Sequence, residues 1–153
     1  MSADEDGRSL ETIAVSECWA LLATQELGRL GVNAEHYPLI VPVNYGIAAG
    51  DVLVLRSGPG TKLAAATHAN VTFEVDQIDP VTRTGWSVLV RGLAEEVTDA
   101  HRTEVVDSMR SLAVAPWAPG EHEHWLRLIP HKVTGRRIAR TELPPAFEDA
   151  GYL

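Results

Sequence analysis

Hydrophobic and polar positions alternate over much of this chain, and the alternation predicts strands. Val71, Phe73 and Val75 interleave with Thr72, Glu74 and Asp76, so residues 70–78 read as a strand with one face inward and one toward solvent. Residues 27–33 alternate apolar with small or polar side chains and predict an earlier strand. Leu39, Val41 and Val43 alternate with Ile40, Pro42 and Asn44; Pro42 lacks a ladder donor, which favours an edge or a bulge. Ala48-Ala49-Gly50-Asp51 predicts a tight turn into a short strand over 52–55. Residues 86–97 are the longest strand candidate. Consecutive Val88, Leu89 and Val90 predict cover on both of its faces, and Gly92 predicts a bulge. Residues 124–132 and 134–140 complete the series, as two strands or one broken at Pro130.

Helical signals are fewer. Ser16 as N-cap predicts a helix over 17–25, with Trp19, Leu22 and Ala23 at helical spacing. A second helix is expected over 61–67, and Thr98 or Asp99 would cap a third, running to about Ala113. Proline and glycine make 115–123 a loop. About six antiparallel strands with two or three small helices imply a mainly β fold, a barrel with helical decoration. Residues 1–12 are expected to be disordered, 13–141 to form the single domain and 142–153 to be a loose tail.

Composition narrows the function classes. At 153 residues and 45% hydrophobic content, the chain suits one globular domain. The net charge of -8 argues against general nucleic-acid affinity, which needs clustered positive charge. No apolar run approaches the roughly 18 residues of a membrane span. The acidic start, MSADEDGRS, resembles neither a signal nor a transit peptide, so a cytoplasmic location is expected. Cys18 is the single cysteine, which excludes an intrachain disulfide, and its ECWALL setting reads as a buried small hydrophobe.

One segment carries candidate chemistry. Arg56, Ser57, Gly58, Gly60, Thr61 and Lys62 bring two cations, two hydroxyls and two glycines to the start of a helix, a combination suited to phosphate. A solvated hairpin end with an ordinary helix cap accounts for the same residues, because short glycine-rich loops are weak signals.

The order PVNY, VLVLRSGPGTK, VTFEVDQID and GWSVLVRGLAEEV resembles the pyridoxamine 5'-phosphate oxidase-like flavin-binding proteins, nearest the small-protein branch with the nitroimidazole-resistance reductases. The resemblance implies a split β-barrel and a homodimer with flavin mononucleotide (FMN) at the subunit interface. It implies that Arg56, Ser57, Thr61 and Lys62 hold the flavin phosphate, and that Pro42, Val43 and Asn44 lie along the isoalloxazine. Trp86 and Ser87 would border the ring, and Trp125 and Arg137 would reach the cleft from the partner subunit. The function implied is an oxidoreductase passing hydride or electrons between flavin and a small molecule.

Departures from the family pattern limit this. The true oxidases carry an Arg and His pair near the C-terminus, whereas VTGRRIAR here has arginines and no histidine. Leu53, Val54 and Leu55 stand where the nitroimidazole-resistance branch has a histidine. Neither of those activities is expected. A deazaflavin-dependent reductase is the alternative, since Arg136, Arg137 and Arg140 with Arg56 and Lys62 would make a positive cleft for a polyanionic tail. A non-catalytic flavin- or haem-binding protein is the alternative of another class.

No acid–base pair stands out, and a flavin would need none for hydride transfer. Arg91 and Glu95 read as a cross-strand pair rather than a substrate-polarising one. Glu121-His122-Glu123-His124 reads as a solvated loop rather than a metal site. Trp117 is either a packing anchor or a lid.

Overall fold

The computed structural model describes residues 7–57, 66–98 and 124–140. The expected helices over 61–67 and 99–113 fall wholly or mostly outside these residues. So do Gly58, Gly60, Thr61, Lys62, Trp117, Glu121 to Glu123 and the tail from 141.

Among the described residues the elements follow in the order β1 (Arg8–Ile13), α1 (Val15–Leu22), β2 (Leu27–Ala34), β3 (Tyr37–Ala48), β4 (Val52–Ser57), β5 (Ala69–Asp79), β6 (Thr84–Glu96) and β7 (His124–Arg140). All pairings are antiparallel. The sheet order β1-β7-β4-β3-β2-β5-β6 closes through a further β6–β7 pairing, so six strands form a ring and β1 sits outside it. Closure satisfies the strand edges that an open sheet would leave bare.

β7 is the strand that makes the barrel split. One of its edges pairs with β6 from Leu126 to Ile138. Its other edge pairs with β4 through Leu128 and with β1 only from Gly135 onward. Between those stretches, residues 129–134 have no strand on that side among the described residues. Helix α1 bridges the same region. Cys18 and Leu22 are fully buried, Cys18 lies beside Gly135 of β7, and the Leu22 carbonyl accepts a 2.6 Å hydrogen bond from the Tyr45 hydroxyl of β3.

The core is one cluster built from alternate strand positions, including Leu30, Val43, Leu53, Leu55, Phe73, Val75, Val88, Val90, Leu126 and Leu128. Tyr45 and Phe73 meet edge to face with ring centroids 5.1 Å apart. Val88 and Val90 are buried in this cluster, whereas Leu89 between them is only half-buried on the outer face. Among the described residues no helix is long and apolar enough to cross a membrane.

Four expectations are corrected. Residues 8–12, expected to be disordered, belong to β1; its inward positions are Ser9 and Ile13 while Leu10 is exposed, so hydrophobic alternation is missing. Helix α1 starts one residue before Ser16, with Ala14 at the N-cap and no side-chain cap bond. It ends at Leu22 rather than Gln25. Pro130 does not break β7, which runs unbroken for 17 residues.

The proline instead lies at a bulge. Register shifts between Arg91 and Gly92, the latter opposite Pro130, so His131 is the extra residue on β7. Gly92 is needed there because a Cβ would come within 2.0 Å of the Ile129 carbonyl oxygen. The extra residue flips the faces of β7. Leu126 and Leu128 are buried before it, Gly135 after it, while Arg136, Ile138 and Arg140 turn outward. The turn expected at Ala48 to Asp51 is present, with Gly50 at φ 77° and Asp51 at φ 56°.

Candidate functional site

The expected cofactor residues fall into two groups. In the first, Asn44 of β3 is the register partner of Arg56 in β4, and Arg56 is the partner of Trp125 in β7. The Arg56 guanidinium sits 5.9 Å from the centre of the Trp125 ring, within cation–π range. Ser57 ends β4 directly before the glycine-rich segment. Trp125, expected to reach the cleft from the partner subunit, thus adjoins Arg56 of its own subunit, and that cation stands at the entrance to the expected phosphate loop.

β3 offers a second feature beside that cation. Residues 37–44 pair with β2, but pairing with β4 begins only at Asn44. From 37 to 43 the strand therefore has a partner on one side alone among the described residues. Pro42 lies in this one-sided part, where a missing donor is tolerated. The other edge presents backbone groups that can bond the polar rim of a planar ligand. Val43 and Asn44 are buried, and the Asn44 amide donates to the Glu26 carbonyl at 3.3 Å, holding the loop before β2 against β3.

The second group lies at the far end of the β6–β7 ladder. Trp86 is the partner of Arg137, and Ser87 that of Arg136. Trp86 and Ser87 line an open groove of about 580 Å³ with Leu10, Ile78, Arg136 and Ile138. Arg137 turns the other way, toward α1, and donates to the Glu17 carboxylate. That contact raises the Arg137 pKa further above its ordinary value.

Trp125 and Arg137 are twelve residues apart on one strand, roughly 40 Å of contour at about 3.3 Å per residue. At the first group's end, the Val97 amide donates to the Trp125 carbonyl at 2.8 Å. At the other end stand Trp86 and Ser87. Within one subunit the described members of the two groups thus stand at opposite ends of β7. Arg56 and the arginines of VTGRRIAR lie at these two ends of the sheet, and Lys62 is outside the described residues.

Other candidates resolve differently. Glu95 pairs across strands with Arg127, its register partner, at 2.7 Å rather than with Arg91. Arg91 lines a larger outer depression of about 690 Å³ with Arg29, Leu39, Ile40, Leu89 and His131. None of the described cofactor candidates borders it. Tyr45, unremarked in PVNY, is a buried structural residue whose phenol is pushed up in pKa by burial.

The sequence matches the pyridoxamine 5'-phosphate oxidase family over residues 14–137. An uncharacterized protein of Mycobacterium tuberculosis is 31% identical over 149 residues, covering 94% of this chain and 95% of that one. Among solved structures, an FAD-binding protein from Mycobacterium smegmatis is 32% identical, with a TM-score of 0.63 over 84% of this chain and 98% of that one. An FAD-binding protein from Mesorhizobium loti is 25% identical, with a TM-score of 0.69 over 88% of this chain and 100% of that one.

Proposed function

This chain belongs to the pyridoxamine 5'-phosphate oxidase family, and from that premise we propose that it is a homodimeric flavin-dependent oxidoreductase whose cofactor, FMN, is held between two subunits. The observation that carries this reading is the separation of the candidate residues to opposite ends of the β6–β7 ladder. Two subunits related by a twofold axis can bring one end of each together, twice per dimer. The outer face supports association too, since Ile40 is 70% exposed beside half-buried Leu39 and Leu89. A flavin-binding role is in keeping with the FAD-binding relatives.

In this reading Arg56, Ser57, Thr61 and Lys62 neutralise the flavin phosphate. The one-sided backbone of β3 at Pro42 and Val43 hydrogen-bonds the rim of the ring, while Trp125 stacks on Arg56 and keeps its fork in place. Trp86 and Ser87 of the other subunit border the ring's far side, Ser87 from the exposed face of β6 and Trp86 from the face it shares with Arg137. The flavin supplies the two-electron chemistry, and the side chains supply position and field. Arg137 acts at one remove, through Glu17 and α1. The substrate is a small molecule reached through the Trp86 groove.

Titration of flavin-free protein with FMN, followed by visible absorbance, tests this directly. Saturable binding is expected, and Arg56→Ala should weaken it about tenfold or more, the worth of a charge-assisted phosphate contact of about 1.5–3 kcal/mol. Unchanged affinity in that variant would move the phosphate elsewhere. Uptake of the deazaflavin alone would favour a deazaflavin-dependent reductase, and a bound flavin inert to reductants would favour a binding protein.

A further inference from the structure

Leu10 of β1 is the register partner of Ile138 in β7, Ile138 that of Gly85 in β6, and Gly85 that of Ile78 in β5. Register partners share a face, so these four make one row across the outer side of the sheet. Leu10, Ile138 and Ile78 are 50%, 45% and 68% exposed. Gly85 is a notch in the row, where a Cβ would come within 2.5 Å of the Gln77 carbonyl oxygen. Trp86, next along β6, packs on the core from the other face. The row lies in the groove of about 580 Å³ that Arg83 and Arg136 also line. We propose that this groove is the docking site of a segment of the same chain, residues 141–153, with the Phe147 ring over the Gly85 notch and Glu148 and Asp149 toward the arginines.

Connectivity puts the segment within reach. β7 ends at Arg140, two residues past Ile138. Arg140 shares a small hollow with Arg8 of β1 and with Val81, Thr82 and Arg83 of the β5–β6 turn, and Arg83 borders the groove as well. The chain therefore leaves the sheet at the groove's open end. Seven residues lead from Arg140 to Phe147, up to about 23 Å of chain at about 3.3 Å per residue. The row spans three strand spacings, roughly 14 Å, so a reversal of direction fits before Phe147. Pro144 and Pro145 deny the segment donors that an added strand needs, which favours crossing a face over extending the sheet.

Charge and surface chemistry match too. Residues 141–153 carry Glu142, Glu148 and Asp149 and no lysine, arginine or histidine. Arg83, Arg136 and Arg140 are exposed at the groove and its open end. Two carboxylates stand near them. Asp76 is paired with Arg29 at 3.2 Å, and exposed Asp79 accepts from the Val81 and Thr82 amides at 2.9 and 3.3 Å. Three arginines against these two carboxylates, one already paired, leave a surplus of positive charge for an acidic segment. An aromatic ring laid over a sheet glycine between branched side chains removes apolar surface from water. The segment is tethered beside its site, so docking costs little translational freedom. Ser87 and Arg136 form the adjacent row of the groove. In the flavin reading, on which this consequence alone rests, the docked segment stands at the substrate's entrance.

Photo-cross-linking of the whole flavin-free chain tests the docking without reference to flavin. Benzoylphenylalanine placed at position 147 should, on irradiation and digestion, join peptides that carry Leu10, Ile78 or Ile138. Isotope-labelled and unlabelled chains, unfolded, mixed and refolded together, should give cross-linked peptides of one label only, because the segment docks on its own chain. Glu148→Lys with Asp149→Lys should cut the yield about threefold or more, as two exposed ion pairs imply. Adding Arg83→Glu and Arg136→Glu to that variant should restore it. Cross-links that map elsewhere on the chain, or none at all, overturn the proposal. So do cross-links that join a labelled to an unlabelled chain, which would give the row to a second copy, and a yield indifferent to the charge reversal. A retained cross-link in protein that fails to bind FMN would sink the flavin reading and leave the docking intact.

Discussion

Single side chains tie the helix to the barrel and set its response to pH. The Tyr45 hydroxyl is the donor that closes the end of α1 onto β3, and burial keeps it neutral well above its usual pKa. Tyr45→Phe preserves the packing on Phe73 but leaves the Leu22 carbonyl without this donor. The variant should lose about 1–2 kcal/mol of unfolding free energy in a denaturant titration. Glu74 is raised too, in the acidic range. Burial, and then the neighbouring Asp76, raise its pKa, while Arg29 at 2.7 Å pulls it back. A carboxyl raised in the folded state binds more protons folded than unfolded, so stability falls as pH climbs from the ordinary value of 4.5 through the raised one. Glu74→Gln removes that slope. The melting temperature of the Gln variant relative to the wild type should therefore be higher at pH 7 than at pH 4; a difference constant across that range would refute the assignment.

At the scale of elements, β7 decides the architecture. Its bulge at His131 is what turns Arg136 outward to the groove and Arg137 inward to Glu17. Gly92→Ala should cost about 3 kcal/mol in unfolding free energy, because the clash is with backbone that cannot rotate away. Much of this was legible in the chain. β5 shows regular alternation in both sequence and burial, and Gly92 announced the bulge. β1 was not legible, because its inward positions are a serine, a half-buried glutamate and one isoleucine, with the leucine facing out. β7 was legible only in part. The face flips midway, so no single period runs through it, and a proline marks a change of register that reads like an end.

For the whole molecule, barrel closure and the split along β7 place the candidate residues. The anion-suited character of Arg56 and Ser57 could be read from their neighbours alone. The distance between Trp125 and Arg137 could not be read while β7 was taken as two pieces; as one strand, it sets them at opposite ends. That separation along β7 is the observation on which the proposal of a shared site rests. The Trp86 groove was legible only as two residues, since its other walls come from β1, β5 and β7, brought together by pairing.

A mixed dimer tests the shared site most directly. One subunit would carry Arg56→Ala and the other Trp86→Ala, with each homodimer of the variants as a reference. In a shared site, both defects fall in one of the two clefts, and the other cleft is assembled from wild-type residues. FMN titration of the purified heterodimer should then give one site of wild-type affinity per dimer, where neither variant homodimer has any. A heterodimer with no wild-type site would mean that each subunit holds its flavin alone, and would contradict the account.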